Sequence, residues 1–107
     1  MKTVNPPDLA AWLADAQRTR PVLLDVREAW EFAICHIENA LPMPMASVPQ
    51  REQELDPDTD IVVVCHHGMR SAQVCMFLER QGYSRVFNLS GGVAVWAAQV
   101  DPAMPQY

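Results

Sequence analysis

Apolar residues recur along this chain in two alternating rhythms. Leu9, Trp12, Leu13 and Ala16 follow at i, i+3, i+4 and i+7, the spacing of one helical face. Asn5 before Pro6 supplies that helix with an N-cap and a first-turn proline. Val22-Leu23-Leu24-Asp25-Val26 and Ile61-Val62-Val63-Val64 are instead short, nearly unbroken apolar runs, which predict strands buried on both faces. Between the two runs, Glu28 to Ala33 predicts one or two helical turns. Leu41-Pro42-Met43-Pro44 predicts only a short edge segment, since proline cannot donate to a ladder. Val48 to Leu55 reads as a weak helix and Asp56-Pro57-Asp58 as a turn. After the second run come a loop, Cys65 to Arg70, and a helix from Ser71 to Arg80. That helix carries Val74, Phe77 and Leu78 on one face, with Gly82 as a left-handed cap. Thr3-Val4 and Val86-Phe87-Asn88-Leu89 read as strands, Ser90-Gly91-Gly92 as a turn and Val93 to Gln99 as a closing helix. Residues 100–107 are expected to form a loose tail.

Strands alternating with helices imply an α/β fold with a small central parallel sheet of four to five strands and helices on both faces. Such sheets bind ligands beyond the carboxyl ends of their strands. Cys65, Asp25 and Arg27 all fall at that end.

A chain of 107 residues, half of them apolar, is expected to fold as one domain spanning 1–107. The net charge of −5 argues against nucleic acid or an anionic membrane as a partner. It also means that an anionic substrate must be drawn in by local dipoles and Arg70 against the overall field. No stretch has the length of a membrane span or the character of a secretory h-region. Three cysteines, an odd number, fit a reducing cytoplasmic setting better than a disulfide framework.

The chemistry concentrates in Cys65-His66-His67-Gly68-Met69-Arg70-Ser71. Strand, short loop and helix form a geometry in which backbone N–H groups turn inward and the positive end of the helix dipole faces the loop's centre. A cysteine at the first loop position would be held there as a thiolate, a nucleophile inside an anion nest. Gly68 serves backbone conformation. His66 and His67 are either proton-transfer groups or residues lining the mouth. Arg70 either binds an anion or pairs with a carboxylate and braces the loop. Asp25 and Arg27 read as a bracing pair beneath the site, with direct substrate contact as the alternative. Cys75 reads as helix filler. Cys35, beside His36 on an exposed-looking loop, has resolving or metal-binding roles as its sharper readings. No C-x₂-C or H-x₃-H spacing fits a structural zinc site, so no metal is expected, and covalent chemistry at Cys65 needs no cofactor. Trp12, Trp30 and Trp96 read as core anchors.

The loop resembles the active-site loop of the rhodanese family, sulfurtransferases that carry sulfur as a cysteine persulfide. The matching residues are Cys65 at the first of six loop positions, Gly68 at the fourth, Arg70 at the sixth and Ser71 opening the helix. Asp25-Val26-Arg27 with Glu31 resembles the family's first signature, His36-Ile37 with Ala40 and Pro42 its second, and Leu89-Ser90-Gly91-Gly92 with Trp96 its third. Cys35 stands where the family usually has glycine. The resemblance implies a rhodanese-like fold and a single-domain thiosulfate sulfurtransferase. Its donor would be thiosulfate-like, and its acceptor cyanide, a small thiol or a thioredoxin-like protein. In rhodanese-fold phosphatases and arsenate reductases the loop is one residue longer. Here Arg70 follows Cys65 by five positions, so the resemblance favours sulfur over phosphorus. A module that relays sulfur to a partner without turning over alone is the remaining alternative.

Overall fold

The computed structural model describes residues 1–107. Its centre is a five-stranded parallel sheet of order β1-β5-β4-β2-β3, built from β1 Lys2–Val4, β2 Val22–Asp25, β3 Leu41–Pro42, β4 Ile61–Val64 and β5 Val86–Leu89. The middle strand β4 pairs with β2 on one side (Asp25 opposite Val64) and β5 on the other (Val63 opposite Asn88). Its four residues are all buried because each face of the sheet is covered. Val62 and Val64 pack with Leu9 and Trp12 of α1 (Pro6–Ala14) and Val93 and Trp96 of α5 (Gly92–Gln99). Ile61 and Val63 pack with Val48 of α3 (Val48–Arg51) and Val74, Cys75 and Leu78 of α4 (Met69–Arg80). The unbroken apolar run is thus a consequence of two cores sharing one strand.

The Asn5 side chain caps α1, accepting from the Asp8 N–H at 2.8 Å. The helix ends at Ala14, earlier than the apolar spacing suggested, and Ala16 lies outside it. Asp15 adopts an extended conformation and its carboxylate accepts from the Gln17 N–H at 2.9 Å, a local bond that competes with helix continuation. The weak helix expected from Val48 to Leu55 is reduced to the four residues of α3 between 3₁₀ turns Met45–Ser47 and Glu52–Glu54. The Gly82 cap is present, at φ +97° with the Tyr83 N–H bonded to the Leu78 carbonyl at 3.0 Å.

Three expectations are corrected by packing. Trp12 and Trp96 are buried, but Trp30 is 62 % exposed. Its helix α2 (Ala29–Ile34) is six residues long and turns Glu31, not Trp30, inward. Cys35 is buried rather than exposed, drawn in by Arg27, whose Nη2 donates to the Cys35 carbonyl at 2.6 Å. The segment 101–107 lies against the domain: Met104 joins the α1/α5 core and Tyr107 reaches the loop after β4. No helix is long and apolar enough to cross a membrane.

Candidate active site

Strand β4 delivers Cys65 to the carboxyl end of the sheet, with the residue 1 % exposed. The chain then turns through Gly68 at φ +100°, a left-handed conformation that favours glycine. This turn brings the Gly68 N–H to 3.0 Å from Cys65 Sγ. Helix α4 starts at Met69, two residues earlier than the sequence suggested, because Gly68 serves as its N-cap. Met69 and Arg70 therefore belong to the first helical turn rather than to the loop. The dipole of a twelve-residue helix starts directly beside the sulfur.

Helix α5 holds the other side of the loop. Its amides donate to loop carbonyls, Val93 to Cys65 at 2.9 Å and Ala94 to His66 at 3.1 Å. Those carbonyls are thereby engaged by α5. The fit leaves no space: a Cβ added at Gly92 would sit 2.3 Å from the Cys65 carbonyl oxygen.

A buried polar chain fixes the sulfur's remaining partner. Ser71 Oγ lies 3.2 Å from Sγ and donates to Asn88 Oδ1. Asn88 Nδ2 donates in turn to the Gly68 carbonyl at 3.0 Å. Because the amide nitrogen can only donate, Oδ1 must face Ser71 and take the hydroxyl's single proton. In the neutral thiol state Cys65 S–H then donates to Ser71 Oγ.

Two ion pairs stand beside the loop. Arg27 and Asp25 form a fully buried pair at 2.7 Å, with Arg27 also donating to the Cys35 carbonyl. The two residues expected to brace the site are thus ion-paired with each other. Arg70 binds Glu31 through both Nη atoms, at 2.7 and 2.8 Å. Of the two sequence readings of Arg70, the structure shows the carboxylate pair. The Arg70 bonds outweigh burial and, helped by the Glu28 N–H, hold the Glu31 carboxyl down at about 2. His66 is held below the usual histidine range, first by burial and then by His67. Its ring stacks on His67 and on Tyr107, each at 4.0 Å. His67 is exposed, and Met69, 77 % exposed, presents its side chain to solvent. Burial pushes the Cys75 thiol up to about 12, as suits an inert core residue. No group of three His, Cys, Asp or Glu side chains is placed to hold a metal ion.

The order of strand, cysteine, glycine turn and arginine-bearing helix extends to a match over most of the chain: a profile of the Rhodanese-like domain covers residues 8–99. The chain belongs to the rhodanese-like domain family. A relative described as a sulfurtransferase, from Allochromatium vinosum, is 40 % identical over 94 residues, covering 88 % of this chain and 86 % of that one. The thiosulfate sulfurtransferase GlpE of Haemophilus influenzae is 39 % identical over 75 residues, 70 % of this chain and 71 % of that one. A rhodanese-like domain protein from Staphylococcus aureus superposes with a TM-score of 0.84 at 30 % identity, covering 90 % of this chain and 91 % of that one. These relatives support a function of the sulfurtransferase type.

Around the sulfur of this rhodanese-like domain the structure assembles Cys65, Gly68 and Ser71, with Arg70, His66, Asp25 and Arg27 in the surrounding layer. Glu31, Asn88 and Tyr107 also stand at the site, beyond the residues that the sequence points to there. Asn88 carried a signal, as the single polar residue in the run Val86-Phe87-Asn88-Leu89. Tyr107 carried none, since it follows the proline-flanked segment Pro102-Ala103-Met104-Pro105.

Proposed function

We propose that this protein is a sulfurtransferase that carries sulfane sulfur as a persulfide on Cys65. The observation that carries this reading is the position of Cys65 Sγ, at a strand end, 3.0 Å from the Gly68 N–H and facing the N-terminus of α4. The Cys65 thiolate attacks the outer sulfur of a donor such as thiosulfate. A new Sγ–S bond forms, the donor's S–S bond breaks, and sulfite leaves with the bonding pair. The terminal sulfur of the persulfide is anionic, and the helix terminus and loop amide favour that charge. A cyanide ion or acceptor thiolate then attacks this sulfur, the Sγ–S bond breaks, and Cys65 returns as thiolate. The cycle is covalent catalysis and uses no metal or organic cofactor. The acceptor in this reading is a small thiol or a thioredoxin-like protein thiol, in a reducing, cytoplasmic setting.

Two features weigh against phosphoryl or arsenyl chemistry. The Cys65-to-Arg70 spacing is the shorter one, and both Arg70 Nη atoms already engage Glu31 instead of standing free for a tetrahedral oxyanion. The test is intact-protein mass spectrometry after incubation with thiosulfate, beside a thiosulfate:cyanide assay. One added sulfur that Cys65→Ser abolishes, with Cys35→Ser and Cys75→Ser still loading, is the expected result. Full loading of the Cys65→Ser protein would overturn the assignment. Loading without turnover to cyanide would turn the reading from enzyme to relay module.

A further inference from the structure

Tyr107 lies outside every sequence motif, yet it ties the two banks of the mouth together. On the loop bank its ring lies on His66 at 4.0 Å, and His66 lies on His67 at 4.0 Å. Three rings thus form a wall that begins at the residue after Cys65. On the α2 bank its ring edge meets Trp30 at 5.8 Å. Its hydroxyl donates to Glu31 Oε1 at 2.9 Å and accepts from Arg27 Nη1 at 2.9 Å. The phenol is therefore latched by two charge-assisted hydrogen bonds on one side and by ring stacking on the other. Tyr107 itself lines a cavity of about 140 Å³, together with Cys35, His66, His67 and Pro105.

We propose that Tyr107 is a specificity-determining residue: closing the flank between α2 and the loop, it admits slender sulfur donors and acceptors to Cys65 and holds back bulky thiols. Cys65 is 1 % exposed, so a reagent must bring its reacting atom inside the rim. Cyanide and the sulfane end of thiosulfate are narrow along the line of attack. A peptide thiol, or the protein thiol of a thioredoxin-like acceptor, carries its substituents into the wall, so it reacts only when the latch opens, whereas a small thiol does not need that opening. Removing the phenol merges the flank with that cavity. The substrates named rest on the sulfurtransferase reading, but the barrier is a property of the mouth and can be measured without sulfur transfer.

The experiment compares the native protein with Tyr107→Phe, which keeps the ring and loses the latch, and Tyr107→Ala, which loses both. Cys65 is alkylated with a small reagent, iodoacetamide, and a bulky one, fluorescein maleimide, and peptide mass spectrometry reads Cys65 apart from Cys35 and Cys75. The bulky-to-small rate ratio at Cys65 rises tenfold or more in Tyr107→Ala and by an intermediate factor in Tyr107→Phe. Turnover from thiosulfate to glutathione, relative to cyanide, rises in the same order. A bulky-to-small alkylation ratio within twofold of native in both variants, with native-like thermal melts, overturns the proposal. Should Tyr107→Ala fail to fold, an unchanged ratio in Tyr107→Phe decides against the latch. Rising alkylation ratios with no sulfur loaded onto Cys65 in any of the three proteins would support the gate and sink the sulfurtransferase reading instead.

Discussion

Glu31 shows how much one buried carboxylate can organise. It accepts twice from Arg70, once from the Glu28 N–H and once from Tyr107, so every lone-pair direction has a donor. Its carboxyl is held at about 2, against 4.5 for a free glutamate. A depressed carboxyl contributes stability that is fully present above the unfolded value and is lost as pH falls through the folded one. Comparing melts of the native protein and Glu31→Gln should show the native form more stable by about 1–3 kcal/mol at pH 7. That advantage should shrink between pH 4.5 and about 2 and vanish below it. A gap independent of pH would mean that the charge at Glu31 is immaterial. The motif that brings Glu31 into view is legible in the sequence as Asp25, Arg27 and Glu31. What is not legible is that Glu31 reaches Arg70, because that contact depends on two helices starting at neighbouring strand ends, a fact of tertiary placement.

At the scale of elements, the site is a junction of β4, α4 and α5, and two glycines separate conformational cost from packing cost. Gly82 and Gly92 both have positive φ, +97° and +60°. A Cβ at Gly82 meets nothing within 4 Å, whereas one at Gly92 meets the Cys65 and His66 carbonyl oxygens at 2.3 and 2.5 Å. Gly82→Ala should cost about 1–2 kcal/mol of stability, from the left-handed conformation alone, and leave sulfur transfer intact. Gly92→Ala must push α5 off the loop. It should cost more stability than Gly82→Ala and lower thiosulfate:cyanide turnover at least tenfold, a loss of roughly 1.4 kcal/mol in transition-state binding. Equal turnover in the two variants would show that α5 does not shape the loop. The sequence identified these elements well where apolar runs were long or unbroken, as in β2, β4 and α4. It misjudged boundaries where one residue's backbone decides: Gly68 starts α4 early and Asp15 stops α1 early.

The whole molecule carries −5, so the proposed anionic donor would approach against the mean field, and the Arg70 guanidinium beside the loop is already paired. The second-order rate constant for thiosulfate should therefore rise two- to threefold between very low and physiological ionic strength, as screening weakens the repulsion. Stopped-flow or initial-rate measurements across a salt series check this, and a rate that falls with salt would show that a local positive field dominates. At this scale, the alternation of elements dictated an α/β parallel sheet, and the structure has it. The path of 101–107 was not readable, because its anchors are isolated contacts of Met104 and Tyr107 rather than a periodic pattern.

The outer strands of the sheet have one more consequence. A sheet border with free N–H and C=O groups is a template on which another chain can add, and so a starting point for fibres. Here β3 is two residues long and its second residue, Pro42, has no N–H to offer, with Pro44 close behind. At the opposite border, β1 is three residues long and begins with Lys2, whose ammonium group donates to the Ser84 carbonyl at 3.0 Å. Neither border offers a long, uncharged ladder. Two prolines and a lysine outside the candidate site thus oppose edge-to-edge aggregation, and should help keep concentrated solutions of this protein free of fibres.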